Sequence, residues 1–418
     1  MKEQKKMESA IEYANEEDKH GIESRSFGKV FTQRSEKVDQ NTSPQWIPPS
    51  ERKWLTVVPP GELPRTAGSK VEGVAVQETF KLISYNILHN RFVASAQYWH
   101  SPASTLDWDY RKTLILRELL QYEAEVICLQ EVGTDAYEFF ERSLGMIGYT
   151  GKLYLKSRAR AKRKGAQKRV NADGCAIFFK LSIFELIEYH SVDFCDQSVV
   201  SDPIIAELAR SRMVSRDNIA LTAVLKHKCT GARQLVTNVH IHWDPLAIDV
   251  RIAQTAILTR KLKELSERVK DHHLDTHTPS RDAAPQYSDP SIIVCGDFNS
   301  RPDSGVYHYL SSGALDSDHN DYTSHKYWPF TASNIQHTLK LQSAYSHRGE
   351  LRFTTYKSDY QATIDYIFYS PNSLAVTGVL GAVDRRDYAN AIGFPNAQFP
   401  SDHVPILAEF QLKPAHLE

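Results

Sequence analysis

From residue 76 onward the chain interleaves short apolar runs with amphipathic stretches. FKLISY (80–85), EVICLQ (125–130), GCAIFFK (174–180), NIALTAVLK (218–226) and QLVTNVHIH (234–242) are rich in Val, Ile, Leu and Phe over a strand's length. SIIVCGD (291–297), TIDYIFYS (363–370) and VPILAEFQL (404–412) read the same way. Trp108 to Tyr122 and Asp135 to Met146 read as helices, the first with Arg111, Lys112 and Arg117 on its polar positions. The clearest helix begins near Asp249, which is expected to cap it. Val250, Ile252, Ala253, Ile257, Leu258, Leu262, Leu265 and Val269 form its apolar stripe, with Arg251, Lys261, Lys263, Glu264 and Glu267 covering the rest. The pattern dissolves in the polar stretch 271–291. Strands outnumber helices, and the helices fall between them. The expected class is α/β, with two packed, mostly antiparallel β-sheets flanked by helices in one domain spanning 76–418.

Residues 1–75 differ. They are charged, then proline-rich around WIPPS and VVPPGELP, without sustained periodicity, and read as a largely flexible extension. A short piece from Trp46 to Val58 is the part that could pack on the domain. No leucine-rich repeat spacing is present.

Composition narrows the function. With 418 residues and 41% hydrophobic content the chain can bury a large core. Its 50 Lys and Arg against 51 Asp and Glu give a net charge of −1. That excludes a globally basic nucleic-acid binder and an acidic disordered chain, and leaves room for a local basic groove. The five cysteines have no C-x-x-C spacing, and Cys128, Cys175 and Cys295 sit in or beside apolar runs, which fits a reducing compartment. No apolar run nears the ~18 residues that span a bilayer, and the N-terminus lacks a signal-peptide core. The expectation is a soluble protein of the cytoplasm, with the nucleus as a further site, neither secreted nor membrane-bound.

The chemistry gathers at strand ends, where a rigid sheet holds loops that carry function. Asn86 ends one strand and Glu131 another. His240 and His242 close NVHIH, Asp297 and Asn299 follow IIVC, Asp365 opens DYIFYS, and Asp402 with His403 opens the last strand. Carboxylate and amide oxygens are hard ligands suited to Mg²⁺ or Mn²⁺. There is no H-E-x-x-H, cysteine cluster, Walker A sequence, Rossmann fingerprint or G-x-S-x-G elbow. Hard-metal phosphodiester hydrolysis remains.

SYNIL (84–88), LQEV (129–132), NVHIHWDP (238–245), CGDFNSRPDSG (295–305), IDYIFYS (364–370) and PSDHVP (400–405) together resemble the endonuclease/exonuclease/phosphatase superfamily. DWDYRK (107–112), DGCAIFFK (173–180), RDNIA (216–220) and HIHWDP narrow the resemblance to the nuclease domain of the carbon catabolite repressor poly(A) deadenylases. Angel proteins, nocturnin and 2′,5′-phosphodiesterases are near relatives. The resemblance covers about residues 78–412. It implies a four-layer, DNase I-like sandwich and a Mg²⁺-dependent 3′→5′ exoribonuclease that degrades poly(A) on single-stranded RNA and releases 5′-AMP, with two metal ions and Mn²⁺ as a substitute.

By this resemblance Glu131 is the principal Mg²⁺ ligand, Asn86 a ligand or phosphate contact, and Asp402 a ligand of a second ion. Asp297 and Asn299, taken to share one face of an extended turn, orient or activate the attacking water. His403 is fixed by Asp365, and His240 donates to a non-bridging oxygen. Asp297 and His403 both stand as candidate bases. His242 alternates with His240 through Ile241, so both rings are expected on one side of the strand, His242 in a supporting place with Trp243 on the rim. Pro245 and Tyr360 would sandwich the terminal base. Arg212 and Asn218 would support substrate or Glu131. The basic run from Lys156 to Arg169, including Arg158, Arg160 and Lys162, is either a solvated loop or a guide for the RNA backbone.

One departure matters. Deadenylases of this type carry leucine-rich repeats that dock the partner nuclease of the large deadenylation complex, so docking to that complex is in doubt here. The alternatives are a related RNA phosphodiesterase (tRNA or rRNA 3′-end trimming, 2′,5′-linkages, 2′,3′-cyclic phosphates), nocturnin-like action on NADPH, and a non-catalytic RNA-binding or scaffolding protein.

Overall fold

The computed structural model describes Ser9, Trp46 and residues 48–57, 79–93, 96–157, 172–196, 212–276, 289–316, 318–323 and 335–414. In chain order its main elements are β1 (Trp54–Thr56), β2 (Thr79–Asn86), α1 (Trp108–Tyr122), β3 (Val126–Val132), α2 (Thr134–Gly145), β4 (Tyr149–Leu155), β5 (Gly174–Lys180) and β6 (Phe184–Asp193). They continue with β7 (Ile219–His227), β8 (Arg233–His240), α3 (Ile248–Thr276), β9 (Ser291–Asp297), α4 (Gly305–Ser312), β10 (Gln342–Ser343), β11 (Asp365–Tyr369), β12 (Leu374–Leu380) and β13 (Ile406–Leu412). The runs read as strands and helices all fall on these elements. Three strands carried weaker signals, namely β4, β6 and β12. In β6 exposure alternates along the strand, but Ile187 and Tyr189 face outward while Glu188 and His190 lie on the more covered side, so no apolar alternation shows in the sequence.

A seven-stranded sheet runs β1-β12-β13-β2-β3-β5-β4, and a six-stranded sheet runs β10-β11-β9-β8-β7-β6. Each contains one parallel pair, β2 with β3 and β8 with β9, among antiparallel neighbours. Three apolar layers follow. Phe80, Leu82, Val126, Ile177, Leu221, Val236, Ile293 and Phe410 fill the space between the sheets. Ile115, Leu116, Phe139 and Phe140 of α1 and α2 pack on Ile83, Ile127 and Phe178. The α3 stripe, from Val250 to Val269, packs with Val306 and Leu310 of α4 on Val224, Leu235 and Val294. The result is helix, sheet, sheet, helix, as expected. A fragment of the N-terminal extension joins it: β1 pairs with β12, and Gly378 leaves room for the Trp54 indole, which a Cβ there would meet at 2.4 Å. The rest of residues 1–75, expected to be a flexible extension, lies almost wholly outside the described residues.

Four polar assignments change. Arg111 of α1 is fully buried and donates through Nη1 to the carbonyls of Ile87 (3.0 Å), Leu88 (2.9 Å) and Pro400 (3.1 Å). Lys112 is buried as well. What reads as a solvated face therefore anchors the chain leaving β2 and the chain approaching β13. Arg251 is also buried rather than part of an outer covering of α3. Asp249 sits inside the first turn of α3, which starts at Ile248 and runs to Thr276, and its carboxylate meets Arg212 at 2.6 Å instead of capping.

This topology places the site. The two parallel pairs end side by side, β2 and β3 at Asn86 and Glu131, and β8 and β9 with His240 opposite Asp297. The carboxyl ends of neighbouring parallel strands are where crevices form. A buried amide pair ties the two sheets just behind: Gln130 Nε2 donates to Asn238 Oδ1 at 2.7 Å, and Asn238 Nδ2 donates to the carbonyls of Leu129 and Ala176.

Candidate active site

Glu131 sits where the pairing of β3 with β5 slips a register, and its φ is +61°, a left-handed conformation rare for glutamate. The bulge turns its carboxylate toward the crevice. There Oε1 accepts from Asn86 Nδ2 (3.1 Å) and Oε2 from the His89 N–H (2.9 Å). Burial, then the charges of Asp173 and Asp402, push its carboxyl above the ordinary range. Asn86 Nδ2 also donates to Asp297 Oδ2 at 3.1 Å, while its Oδ1 accepts the Leu88 N–H at 3.0 Å. As placed, Asn86 offers its amide nitrogen between two carboxylates and keeps its oxygen turned away. It separates the acids; serving as a metal ligand would require the amide to rotate.

Asp297 lies at the centre. Gly296 before it has φ +138°, and a Cβ there would stand 1.9 Å from the Val239 carbonyl, so only glycine lets the strand end this way. Asp297 Oδ1 accepts the Asn299 N–H at 2.8 Å. Its Oδ2 faces His240 Nε2 at 3.7 Å and His403 Nε2 at 3.8 Å. Burial and then Asp365 push the Asp297 carboxyl up, with His403 opposing. Asn299 departs from the extended turn expected of it. Its φ is +46°, its N–H closes an Asx turn, and its Nδ2 is committed to the Ile241 carbonyl at 3.0 Å. Asn299 therefore presents an oxygen, an acceptor for water rather than a donor to phosphate.

His403 Nδ1 and Asp365 Oδ2 are 2.8 Å apart, and the Asp365 N–H is held by Thr354 Oγ1. Burial works against charge on His403, but Asp365, Asp402 and Asp297 outweigh it and raise its pKa. His240 goes the other way: burial, then Lys156 and His403, hold it well below the usual histidine value. The surroundings thus favour the charged form of His403 and the neutral form of His240, and both rings face the same carboxylate oxygen.

Asp402 was expected to bind metal. It is buried, and its Oδ2 already accepts from the Tyr98 hydroxyl at 2.8 Å and pairs with Lys357 Nζ at 3.2 Å. Burial would raise its carboxyl; Lys357 and His403 more than reverse that and hold it low. Tyr98 and Lys357 were not anticipated, because neither belongs to a recognisable pattern and only the fold brings them to Asp402.

The rest of the predicted set divides. His242 follows the end of β8 and makes no hydrogen bond to the acids among the described residues. Its N–H is held by Gln254 Oε1 at 3.0 Å, and burial brings its pKa to about 4. Asn218 is buried behind His240, donating to its carbonyl at 3.0 Å, and Arg212 clamps Asp249 and the Leu246 carbonyl. Both steady the histidine strand and its loop, and neither is hydrogen-bonded to Glu131 among the described residues. Trp243 and Pro245 are exposed on one rim and Tyr360 on a hairpin, with Arg251 between them, bonded to the Pro245 carbonyl and close enough for its charge to act on the Tyr360 hydroxyl. Arg158, Arg160 and Lys162 lie outside the described residues. Lys156, at the head of that basic run, is not a free guide: it is buried against Asp173 at 2.5 Å.

The donor set suits a hard divalent cation. Ligand atoms of Asp297, Asp365 and His403 all lie within 4.8 Å of one another, and the buried Asp365 Oδ1 has no hydrogen-bond partner among the described residues.

A two-sheet sandwich with acids and histidines at the ends of its parallel strands is the frame of a phosphoester hydrolase. The chain belongs to the Endonuclease/Exonuclease/phosphatase family, whose model matches residues 83–403. It is 42% identical over 385 residues to the CCR4-Not complex 3′-5′-exoribonuclease subunit Ccr4 of Mycosarcoma maydis, covering 90% of this chain and 56% of that protein. The Ccr4 of Schizosaccharomyces pombe is 35% identical over 388 residues, covering 88% and 56%. The chain thus spans just over half the length of these curated relatives. Among solved structures, ANGEL2, a 2′,3′-cyclic phosphatase in complex with adenosine-2′,3′-vanadate, aligns with a TM-score of 0.63 at 28% identity, over 80% of this chain and 96% of that one. The human nocturnin catalytic domain shares the fold, with a TM-score of 0.54 at 23% identity over 81% and 95%.

Proposed function

We propose that this chain is a Mg²⁺-dependent 3′→5′ exoribonuclease that shortens poly(A) on cytoplasmic mRNA and releases 5′-AMP. The observation that carries the substrate class is the 42% identity to an exoribonuclease subunit across 90% of the chain. The site supplies chemistry to match. Glu131, with Asn86 once its amide rotates, is the residue that would hold Mg²⁺, which when bound neutralises phosphate charge and lowers the pKa of water.

The residues divide the remaining work. Asp297, its carboxyl raised toward neutrality by burial and Asp365, takes the proton from the attacking water. Asn299 accepts a hydrogen bond from that water. His403, whose charged form Asp365 favours, gives its proton to the departing 3′-oxygen as the P–O bond breaks, and Asp365 holds its ring in place. His240 donates from Nε2 to a non-bridging oxygen. Pro245 and Tyr360 stack on the terminal base.

Exoribonuclease action is tested on an RNA of mixed sequence ending in ten adenosines, with products separated by chromatography. The expected result is stepwise loss of the tail with 5′-AMP as product, stalling at the body and abolished by chelation. A second reading is removal of 2′,3′-cyclic phosphates, favoured by the 0.63 TM-score to ANGEL2. An RNA whose tail stays intact while a terminal cyclic phosphate opens would establish that reading instead.

A further inference from the structure

Lys357 is an unanticipated cation inside the acidic crevice. Its ammonium stands 3.2 Å from Asp402 Oδ2, and its side chain is 25% exposed. It is delivered there by backbone. Lys357 follows the strand Thr355–Tyr356, which pairs with Gln361–Ala362, and its N–H closes the hairpin on the Tyr360 carbonyl at 2.8 Å. The same hairpin is stitched to the neighbouring loop. The Tyr356 N–H and Thr355 Oγ1 both donate to the Asp402 carbonyl, at 2.9 and 3.0 Å, and Thr355 forms a β-bridge with His403. The lysine and the carboxylate it meets are thus fixed against each other from both sides.

One oxygen of Asp402 is already committed. Its Oδ2 holds Tyr98 and Lys357, and Ser401 Oγ lies 3.5 Å from Oδ1. Asp297, Asp365 and His403 bring ligand atoms within 4.8 Å of one another, and Asp402 stands apart from that group, tied to the cation of Lys357. A divalent ion at Asp402 would have to displace an ammonium that already neutralises the carboxylate, and at such separations like charges repel strongly in a partly buried site.

We propose that Lys357 replaces the second divalent cation. It holds Asp402 as an ion pair and presents its remaining N–H donors to the phosphate, so that the chain works with one metal ion bound on the Glu131 side. The inference rests on the metal-dependent nuclease reading above. It goes beyond it in assigning the number of ions and naming the residue that sets that number. A point charge of +1 on a fixed stem gives less charge than Mg²⁺ but needs no ion to be recruited at each turnover.

The test is Mn²⁺ titration of the full chain followed by electron paramagnetic resonance, on wild type, Lys357→Thr and Lys357→Arg, with folding checked by circular dichroism. Wild type and Lys357→Arg are expected to bind one Mn²⁺ with an uncoupled spectrum. Lys357→Thr is expected to take a second, spin-coupled Mn²⁺, and its rate should depend on Mg²⁺ with a Hill coefficient near about 2. Two coupled ions in the wild type, with RNA cleavage intact, would overturn the proposal and leave the nuclease reading standing. One ion in all three proteins, with identical Mg²⁺ dependence, would overturn it as well. No bound Mn²⁺ together with no cleavage would overturn both.

Discussion

Arg251 donates through Nη1 to the backbone carbonyl of Asn299 across 2.6 Å, and this bond ties the first turns of α3 to the loop that follows β9. Arg251 also reaches the Pro245 carbonyl at 3.4 Å. One guanidinium therefore fixes both the left-handed turn next to Asp297 and the rim where a base would stack. Its fork geometry matters, since a lysine presents a point charge and cannot span two carbonyls in fixed directions.

Arg251→Lys should therefore lose activity without unfolding. A hydrogen bond to a charged group is worth about 1.5–3 kcal/mol, so a fall in kcat/KM of roughly 10–100-fold is expected. Steady-state kinetics and thermal melting check this together. An unchanged kcat/KM would show that the Asn299 turn keeps its shape without Arg251.

Glu118 gives the fold a pH dependence of its own. It lies on α1 with Oε2 sealed from solvent and unpartnered among the described residues, and burial raises its pKa to about 7, against the lowering effects of Tyr85 and Arg52. The folded state then binds the proton more tightly than the unfolded state does. Stability from this group is greatest at acid pH, falls as pH rises from the unfolded value through about 7, and is flat above. The total loss is about 3 kcal/mol. Glu118→Gln should melt higher than wild type at pH 8 and gain little at pH 5. An equal difference at both values would mean that the carboxyl titrates normally.

Much of this architecture was readable from apolar runs, because buried strands and the α3 stripe announce themselves through Val, Ile and Leu. The polar residues at strand ends were equally legible, and Asn86, Glu131, His240, Asp297, Asp365, Asp402 and His403 all converge on one crevice. Buried charges were not legible. Arg111 and Arg251 look like solvent-facing helix positions, since their carbonyl partners lie on distant loops. Lys357 and Tyr98 meet Asp402 only through long-range folding. Turn geometry was misread at Asn299 for a related reason: the alternation of an extended strand stops where a residue adopts a left-handed φ.

Tyr360 offers the cleanest test of base stacking. Its ring is 41% exposed and lies on the hairpin that carries Lys357. Removing the ring in Tyr360→Ala should cost about 1–3 kcal/mol of binding per stacked base, read as a higher KM for oligoadenylate, while Tyr360→Phe should bind almost as wild type does. If the two variants weaken binding equally, the hydroxyl rather than the ring makes the contact.

The central claim is that Asp297 and His403 carry out phosphodiester hydrolysis on RNA 3′ ends. Single-turnover degradation of a 5′-labelled A20 RNA in Mg²⁺, run beside C20 and U20, tests it directly with wild type, Asp297→Asn and His403→Ala. The account predicts a descending ladder on A20 for wild type and a rate lower by about 10²–10³-fold or more in each variant, with Mn²⁺ unable to restore it. Ladders of wild-type rate from either variant would contradict the account.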